Sequence, residues 1–263
     1  SPSGNNFISI CASFRGFSAL RSDGTVISWG TEDWPARTNG EPHPTDNGYI
    51  AIISTYSSFL GVKEDGSLRG WGAPSNYEGI PSGKIFKKIV GSSGGYSGLD
   101  INGELYSWGQ PGYHANGPPS GSDFIDIFSG GGAYVAYDKE GKMHCWGVND
   151  FTGREHNAYD WRSGAILAGG GGPTADIPTE SGYVYAVGNK YTMAALNSDK
   201  TADAWGKVTQ TGISVGSLNN SNTKFQNIYS KGIPAITPGY YEMMNELNSI
   251  SNPYDKFKKF TIT

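Results

Sequence analysis

The residues of this 263-residue chain that could carry out chemistry are few and scattered. The histidines are His43, His114, His144 and His156, and the cysteines are Cys11 and Cys145. Their spacing matches no zinc motif such as His-Glu-x-x-His. Most carboxylates fall in predicted turns, so no nucleophile has a base and an orienting group near it in sequence. The sequence therefore predicts a protein that is not an enzyme, with neither metal nor cofactor.

Aromatic residues at equivalent positions of a repeat favour a binding function, in which exposed rings contact a partner. Trp34, Tyr113 and Phe151 each stand five residues after the tryptophan of a recurring Trp-Gly dipeptide, and Tyr77 stands six after Trp71. Trp, Tyr and Arg are the residue types enriched at the energetic centre of interfaces. We therefore predict one binding rim in the segments that follow Trp-Gly. Its predicted residues are Trp34, Tyr77, Tyr113, His114, Phe151, Arg154, Tyr159 and Trp161.

Two alternatives to this rim stay open at the level of sequence. The aromatic rings could fold back and pack between repeats instead of facing a partner. A second candidate rim is formed by the turns that hold Phe14-Arg15, Tyr56 and the glycines 130–132. The repeated tryptophans themselves are expected in the core, as wedges between structural units.

The elements that must position these residues follow from an internal repeat. Trp-Gly recurs at residues 29, 71, 108 and 146, which are 42, 37 and 38 residues apart, and again at 205. Three short strand patterns precede each of the first four copies, and a turn dipeptide separates the second from the third. These dipeptides are Asp23-Gly24, Asp65-Gly66, Asn102-Gly103 and Glu140-Gly141. Asp-Gly and Asn-Gly favour tight hairpins, and a unit of about 40 residues with several short strands is typical of a propeller blade.

These units resemble the regulator-of-chromosome-condensation repeat family in its bacterial form. The family pattern runs from a Gly-rich turn through an aromatic residue and a small-aliphatic strand to Asp-Gly and Trp-Gly, followed by Asn and Gly. The segment VNDFTGR at 148–154 is the best copy of that tail. The resemblance covers about residues 8–206, and it implies an all-β propeller of six to seven blades. The family includes exchange factors, bacterial effectors, protein inhibitors and adhesin domains, so the fold does not fix the function.

After residue 147 the repeat is less regular. VYAV at 184–187 could end a fifth unit, with Val187-Gly188 as a degenerate Trp-Gly, or it could begin the unit that ends on Trp205. FQNIYSKGIPAIT at 225–237 resembles a first strand and part of a second. We assign residues 1–237 to the propeller and residues 238–263 to a short C-terminal helix and strand packed on it.

Composition narrows the class of partner. The net charge is −4, which does not favour a nucleic-acid surface, and no apolar run approaches the ~18 residues of a membrane span. The start SPSGNN reads like the cut edge of a longer chain. We expect a monomeric domain that binds a protein or glycan receptor.

The leading functional hypothesis is a secreted or cell-surface bacterial recognition domain, such as an adhesin or the targeting part of a toxin, with a role in virulence. Low Lys content and Gly/Ser/Asn-rich loops favour this hypothesis. The first alternative is a proteinaceous enzyme inhibitor, because the blades look like those of propeller-type β-lactamase inhibitors. The second alternative, by analogy of fold, is an exchange factor or effector for a small GTPase.

Overall fold

In a computed structural model, the chain forms a series of small antiparallel β-sheets, one for each Trp-Gly copy. The structure describes residues 4–14, 16–30, 43–111, 117–147, 158–160, 165–167, 174–175, 178, 180–188 and 192–207. Blade 1 contains β1 (Phe7–Ala12), β2 (Gly16–Arg21) and β3 (Val26–Gly30). Blade 2 contains β4 (Tyr49–Ser54), β5 (Ser58–Lys63) and β6 (Leu68–Gly72). Blade 3 contains β7 (Phe86–Gly91), β8 (Gly95–Asp100) and β9 (Leu105–Gly109), and blade 4 contains β10 (Phe124–Ser129), β11 (Ala133–Asp138) and β12 (Met143–Gly147).

Blade 5 follows a long connection that holds a separate hairpin. The hairpin pairs β13 (Ala158–Asp160) with β14 (Ala165–Leu167). Blade 5 contains β16 (Tyr183–Gly188), β17 (Thr192–Asn197) and β18 (Ala202–Lys207), and β15 (Thr174–Ala175) pairs with the outer side of β18.

The structure decides between the two alignments that the sequence left open. Because β16 pairs with β17 and β17 pairs with β18, the segment 184–187 begins the blade that ends on Trp205. Val187-Gly188 therefore occupies a first strand and is not a degenerate Trp-Gly.

The sheets are arranged as the blades of a propeller. First strands of consecutive blades contact one another from β1 through β16, which places the first strand of each blade nearest the axis. The described residues hold five blades and the hairpin, so they support a count of five to six where the sequence predicted six to seven. The predicted helix and strand at 238–263 lie outside the described residues. Within those residues the only helix is the 3-10 turn Pro74–Asn76, and none is long and apolar enough to cross a membrane.

Each blade interface is filled by the tryptophan of the later blade. Trp71 packs with Leu20 and Val26 of blade 1, and its indole N–H donates to Ser28 Oγ at 3.1 Å. The same arrangement recurs at Trp146, whose indole N–H donates to Ser107 Oγ of blade 3 at 2.8 Å. Trp71, Trp108, Trp146 and Trp205 are all fully buried. The sequence predicts Trp29, Trp71, Trp108 and Trp146 as core wedges; this is confirmed for the last three, whereas Trp29 is only half-buried.

Strand register separates two faces of the propeller. Gly16 pairs with Gly30 in blade 1, and Ser58 pairs with Gly72 in blade 2, so each Trp-Gly lies at the same end as the turn between the first two strands. We call this end the upper face. The Asp-Gly turns lie at the opposite end, the lower face.

Backbone hydrogen bonds join neighbouring blades at the lower face. The carbonyl oxygen of Gly24 accepts from the Tyr49 N–H at 3.0 Å, and that of Gly103 accepts from the Phe124 N–H at 3.3 Å. Gly24 and Gly103 have φ of 78° and 84°, which an L side chain adopts at a cost. In blade 5 the same position holds Lys200 at φ 75°. The turn between the second and third strands of blade 5 therefore keeps a positive φ at this position although the residue is not glycine.

Candidate binding face

The upper face carries an exposed pair of stacked aromatic rings. Phe14 lies in the turn after β1 and Tyr56 in the turn after β4, and their ring centroids are 4.5 Å apart with an interplanar angle of 17°. Phe14 is 61% and Tyr56 is 44% exposed. The Phe14 N–H also donates to the Tyr56 carbonyl oxygen at 3.0 Å. Two neighbouring blades thus present a stacked pair of exposed aromatic rings, a residue class that is enriched at the centre of interfaces.

Side-chain hydroxyls fix the backbone of these turns. In blade 1, Ser13 Oγ accepts from the Gly16 N–H at 3.1 Å. In blade 2, Thr55 Oγ1 accepts from the Ser58 N–H at 3.0 Å and from Asn76 Nδ2 at 3.2 Å. Such local side-chain bonds hold a turn in one conformation. The two rings therefore stand on preformed backbone.

Buried hydroxyl pairs lie beneath the turns and join blade to blade. The hydroxyls of Tyr96 and Ser58 are 2.9 Å apart, and those of Tyr134 and Ser92 are 2.8 Å apart. Burial raises the pKa of Tyr96 and of Tyr134 well above the ordinary value, so both phenols stay protonated. Each pair satisfies polar groups that would otherwise be costly to bury.

The turns between the first two strands of blades 2, 3 and 4 carry no charged side chain. The Ser93 N–H donates to the Gly131 carbonyl oxygen at 3.1 Å, which repeats between blades 3 and 4 the contact made by Phe14 and Tyr56. The turns 55–57, 92–94 and 130–132 contain only Thr, Tyr, Ser and Gly. Small uncharged residues let the backbone of a partner approach closely.

Loops that follow Trp-Gly start at the same end of the blades as the turns between the first two strands. The loops that follow Trp-Gly leave from the upper face, beside the turns of Phe14 and Tyr56, as shown by the Ala73 N–H, which donates to the Ser57 carbonyl oxygen at 3.0 Å. The sequence alone presents the rims as separate candidates. The described start of the loop after Trp71 lies on the same face as the turn rim.

Only Tyr77 of the eight predicted binding residues has a described side chain. Its ring is half-buried, packs against the core between blades 2 and 3, and covers Gly70, where a Cβ would overlap it. Tyr159 lies in β13, and its side chain is outside the described residues. Trp34, Tyr113, His114, Phe151, Arg154 and Trp161 lie outside them as well. The loop rim therefore stays a prediction.

The titratable groups are spread over different parts of the molecule. Cys11 donates to the Ile52 carbonyl oxygen at 3.0 Å between blades 1 and 2, and burial raises the pKa of its thiol to about 11. Cys145 packs in the core between blades 4 and 5. His144 and Asp138 are 2.8 Å apart at their nearest side-chain atoms, near the lower face. Among the described residues, no group of three His, Cys, Asp or Glu side chains could hold a metal ion.

Comparison with known proteins rests on structure. No family model matches the chain, and no curated protein sequence matches it either. A crystal structure of Prp20p from Saccharomyces cerevisiae matches with a TM-score of 0.54 and 15% identity over 77% of this chain. The yeast protein is also known as RCC1. The fold is an RCC1-like β-propeller.

A second RCC1-like match comes from a plant. The ectodomain of the Physcomitrella patens receptor kinase CR4 matches with a TM-score of 0.53 and 18% identity over 75% of this chain. This chain spans 50% of the moss ectodomain and 57% of Prp20p. The TM-scores of both matches show the same architecture. They confirm the all-β propeller predicted from the Trp-Gly repeat.

Proposed function

We propose that this RCC1-like propeller is a recognition module that binds a protein partner through its upper face, with the Phe14–Tyr56 stack at the centre. The observation that carries the proposal is a pair of exposed parallel rings on turns held by internal hydrogen bonds. Rigid aromatic side chains lose little conformational entropy on binding, and preformed backbone reduces the ordering cost further.

A protein fits this surface better than a glycan does. Recognition of a small polar ligand needs several convergent polar groups that are available to it. The hydroxyls of Ser13, Thr55 and Ser92 are instead engaged in hydrogen bonds within the propeller. The stack offers an apolar patch, and the turns beside it offer uncharged backbone, which suit an apolar side chain and an extended segment of a protein.

Structures of the same fold support a protein partner. Prp20p is described together with its binding to Gsp1p and histones, and yeast RCC1 has been crystallised bound to Kap60. The moss CR4 match is the ectodomain of a receptor kinase. We propose that this chain also binds a protein, and that it does so without catalysing a reaction, outside the cell, as an adhesin or targeting domain that is secreted or displayed at the surface.

The experiment compares a stack variant with a matched control. The Phe14→Ala/Tyr56→Ala protein loses the stack, whereas Ile101→Ala removes a side chain that is as exposed as Tyr56 (44%) but lies at the lower face. Both variants and the parent are applied to an array of extracellular proteins, small GTPases and secreted β-lactamases, with a glycan array in parallel. Loss of two central aromatic contacts should weaken binding to the protein partner by about 100-fold.

The four classes of candidate partner on the arrays separate the alternatives. Binding to an extracellular protein that is lost in the stack variant and kept in Ile101→Ala supports the proposal. Binding only to GTPases, only to β-lactamases or only to sugars replaces the proposed partner class by that one. Equal binding by the stack variant and the parent overturns the assignment of the upper face.

A further inference from the structure

The chain contains four Asn-Gly dipeptides, which begin at residues 39, 47, 102 and 116, and the structure describes the second and the third. Asparagine is chemically least stable before glycine, because glycine has no side chain to keep its backbone nitrogen away from the asparagine amide. That nitrogen can attack the amide carbon and start deamidation. Asn47–Gly48 precedes β4, whereas Asn102–Gly103 lies in the lower-face turn of blade 3. The two sites therefore share their chemistry and differ in their surroundings.

The turn of blade 3 holds both reacting groups of Asn102–Gly103. Asn102 donates from Nδ2 to Asp100 Oδ2 at 3.3 Å and from its backbone N–H to Asp100 Oδ1 at 2.9 Å. The Gly103 N–H donates to the Asp100 carbonyl oxygen at 3.1 Å, and Gly103 is buried. The Gly103 nitrogen can reach the amide carbon only after these hydrogen bonds break.

Asn47–Gly48 stands in open surroundings. Both residues are exposed, and a Cβ at Gly48 would meet no atom within 4 Å. Within the described residues, neither the Asn47 side chain nor the Gly48 N–H forms a hydrogen bond. Asn102 is exposed as well, so the difference between the two sites lies in hydrogen bonding and not in access to water. The nitrogen of Gly48 is free to approach the amide carbon of Asn47.

We propose that Asn47 is a site of spontaneous deamidation in the folded protein, and that the turn of blade 3 protects Asn102. The Gly48 nitrogen forms a bond to Cγ of Asn47, the bond from Cγ to Nδ2 breaks, and ammonia leaves with the proton that the Gly48 nitrogen loses. Water then opens the resulting succinimide ring at one of its two carbonyl groups. The products are aspartate and isoaspartate, and isoaspartate carries one additional methylene group in the main chain.

The product changes the contact of blades 1 and 2 at the lower face. Asp46, the residue before Asn47, binds Lys63 Nζ at 2.5 Å, so the new carboxylate adds a second negative charge beside this ion pair. The Tyr49 N–H donates to the Gly24 carbonyl oxygen of blade 1 at 3.0 Å. The additional methylene group of isoaspartate lengthens the main chain just before this bond between blades. Slow conversion of residue 47 therefore alters how the two blades fit together.

Deamidation of the purified full chain tests the proposal. The protein is kept at physiological temperature in water labelled with heavy oxygen, and tandem mass spectrometry follows the gain of label at each Asn-Gly. Deamidation at Asn47 should be at least about tenfold faster than at Asn102, because the turn must open before Asn102 reacts. In urea the two rates should approach each other, since unfolding removes the difference in surroundings. Equal rates in the folded protein, or a ratio of rates that urea does not change, would overturn the proposal.

Three variants separate a local effect of the turn from a general loss of stability. Asp100→Ala removes the carboxylate that holds Asn102, so deamidation of Asn102 in the folded protein should rise towards its rate in urea. Asp65→Ala removes a turn carboxylate of blade 2, which accepts from the Ser67 N–H at 2.8 Å, and should leave Asn102 protected. Asn47→Gln should abolish the reaction at residue 47, because the longer side chain closes a less favourable ring. Circular dichroism checks that each variant is folded. Protection of Asn102 that survives Asp100→Ala contradicts the role assigned to the turn.

Discussion

The two faces of the propeller are built from opposite ends of the same strands, yet their surfaces differ. The lower face is charged, with ion pairs such as Lys139–Asp123 at 2.6 Å and Lys63–Asp46 at 2.5 Å between its turns and the neighbouring strand starts. The upper face carries the Phe14–Tyr56 stack and turns of Ser, Thr and Gly. The exposed aromatic stack on the upper face agrees with the proposed binding role, whereas the ion pairs and Asp-Gly turns of the lower face serve solvation and turn formation.

The way each face is held together differs as well. At the lower face, aspartates accept from the turn backbone, as when Asp23 Oδ1 accepts from the Thr25 N–H at 2.9 Å. The Asp23 side chain is exposed to solvent, and hydrogen bonds from Thr25 lower its pKa. Beneath the upper face, the hydroxyls of Tyr96 and Tyr134 are buried between blades. Substitutions at the two ends should therefore have different effects on stability.

Alkaline pH should have the largest effect, because buried tyrosines with a raised pKa lie at both ends of the blades, including Tyr137 and Tyr183 towards the lower face. Burial raises the pKa of Tyr96 and Tyr134, and at the lower face burial and the Asp46 carboxylate raise the pKa of Tyr49 to about 12. A raised phenol pKa contributes stability that is complete below the unfolded value of about 10 and is lost as pH rises through the folded value. Circular dichroism and tyrosinate absorbance should therefore show unfolding coupled to ionisation above pH about 10.

Tyr→Phe variants at each face test how much the phenols there contribute to the loss of stability at alkaline pH. Relative to its own stability near neutral pH, Tyr96→Phe/Tyr134→Phe should lose less stability than the parent as the solution becomes alkaline. Tyr49→Phe should reduce the dependence on pH by a smaller amount. Ionisation of all tyrosines near their ordinary pKa without unfolding would contradict this account.

Gly103→Ala should produce the next largest effect, at the lower face. Gly103 has φ 84°, and a Cβ there would overlap the carbonyl oxygen of Ser122. Backbone strain and overlap together should lower the free energy of unfolding by about 2–4 kcal/mol, measured by urea denaturation. Gly83 has φ 67° with open space around it, so Gly83→Ala should cost only about 1 kcal/mol. If Gly103→Ala and Gly83→Ala lower the free energy of unfolding equally, the backbone near Ser122 must move to relieve the overlap with the new Cβ.

Tyr134→Phe tests the buried hydroxyls beneath the upper face. It leaves the buried Ser92 hydroxyl without its phenol partner, so the free energy of unfolding should fall by about 1–2 kcal/mol. In a double-mutant cycle with Ser92→Ala, the two effects should not add. The exposed Tyr56→Phe serves as the control and should change stability by less than about 0.5 kcal/mol. Additive effects at residues 92 and 134 would rule out an energetic coupling.

Lys200→Gly should have the smallest effect, and it should be stabilising. Lys200 holds φ 75° in the lower-face turn of blade 5, where the other described blades have glycine. Relief of this strain should raise the free energy of unfolding by about 1 kcal/mol. The reverse change in blade 2, Gly66→Lys at φ 85°, should lower it by a similar amount. A Lys200→Gly protein that is less stable than the parent would show that the turn is not strained.

The fold was largely predictable because the repeat constrains it locally. Asp-Gly turns and Trp-Gly strand ends recur at a nearly constant spacing, and both have direct physical roles in hairpins and interfaces. The spacing fails between Trp146 and Trp205 because the connection 148–182 is longer than the others and holds a hairpin of its own. Counting residues from Trp146 then misaligns Val187, and only strand pairing restores the correct register.

The candidate site was predictable only in part. Phe14 and Tyr56 were recognisable as turn residues, but their stacking depends on the distance between two blades, which one repeat does not reveal. The packing of Tyr77 depends on Gly70, a residue in a strand that precedes it. That the loops after Trp-Gly start at the same end as the turns follows from the register of Gly16 with Gly30, and register is a property of the paired strands.

The tryptophan wedge has a consequence for how such a protein can evolve. Every described interface joins the same two kinds of surface, the wedge side of one blade and the facing side of the blade before it. A tandem duplication of one repeat therefore yields a unit that fits both of its new neighbours without compensating substitutions. Gene duplication can change the number of blades, and the curvature needed to complete the ring is what limits that number.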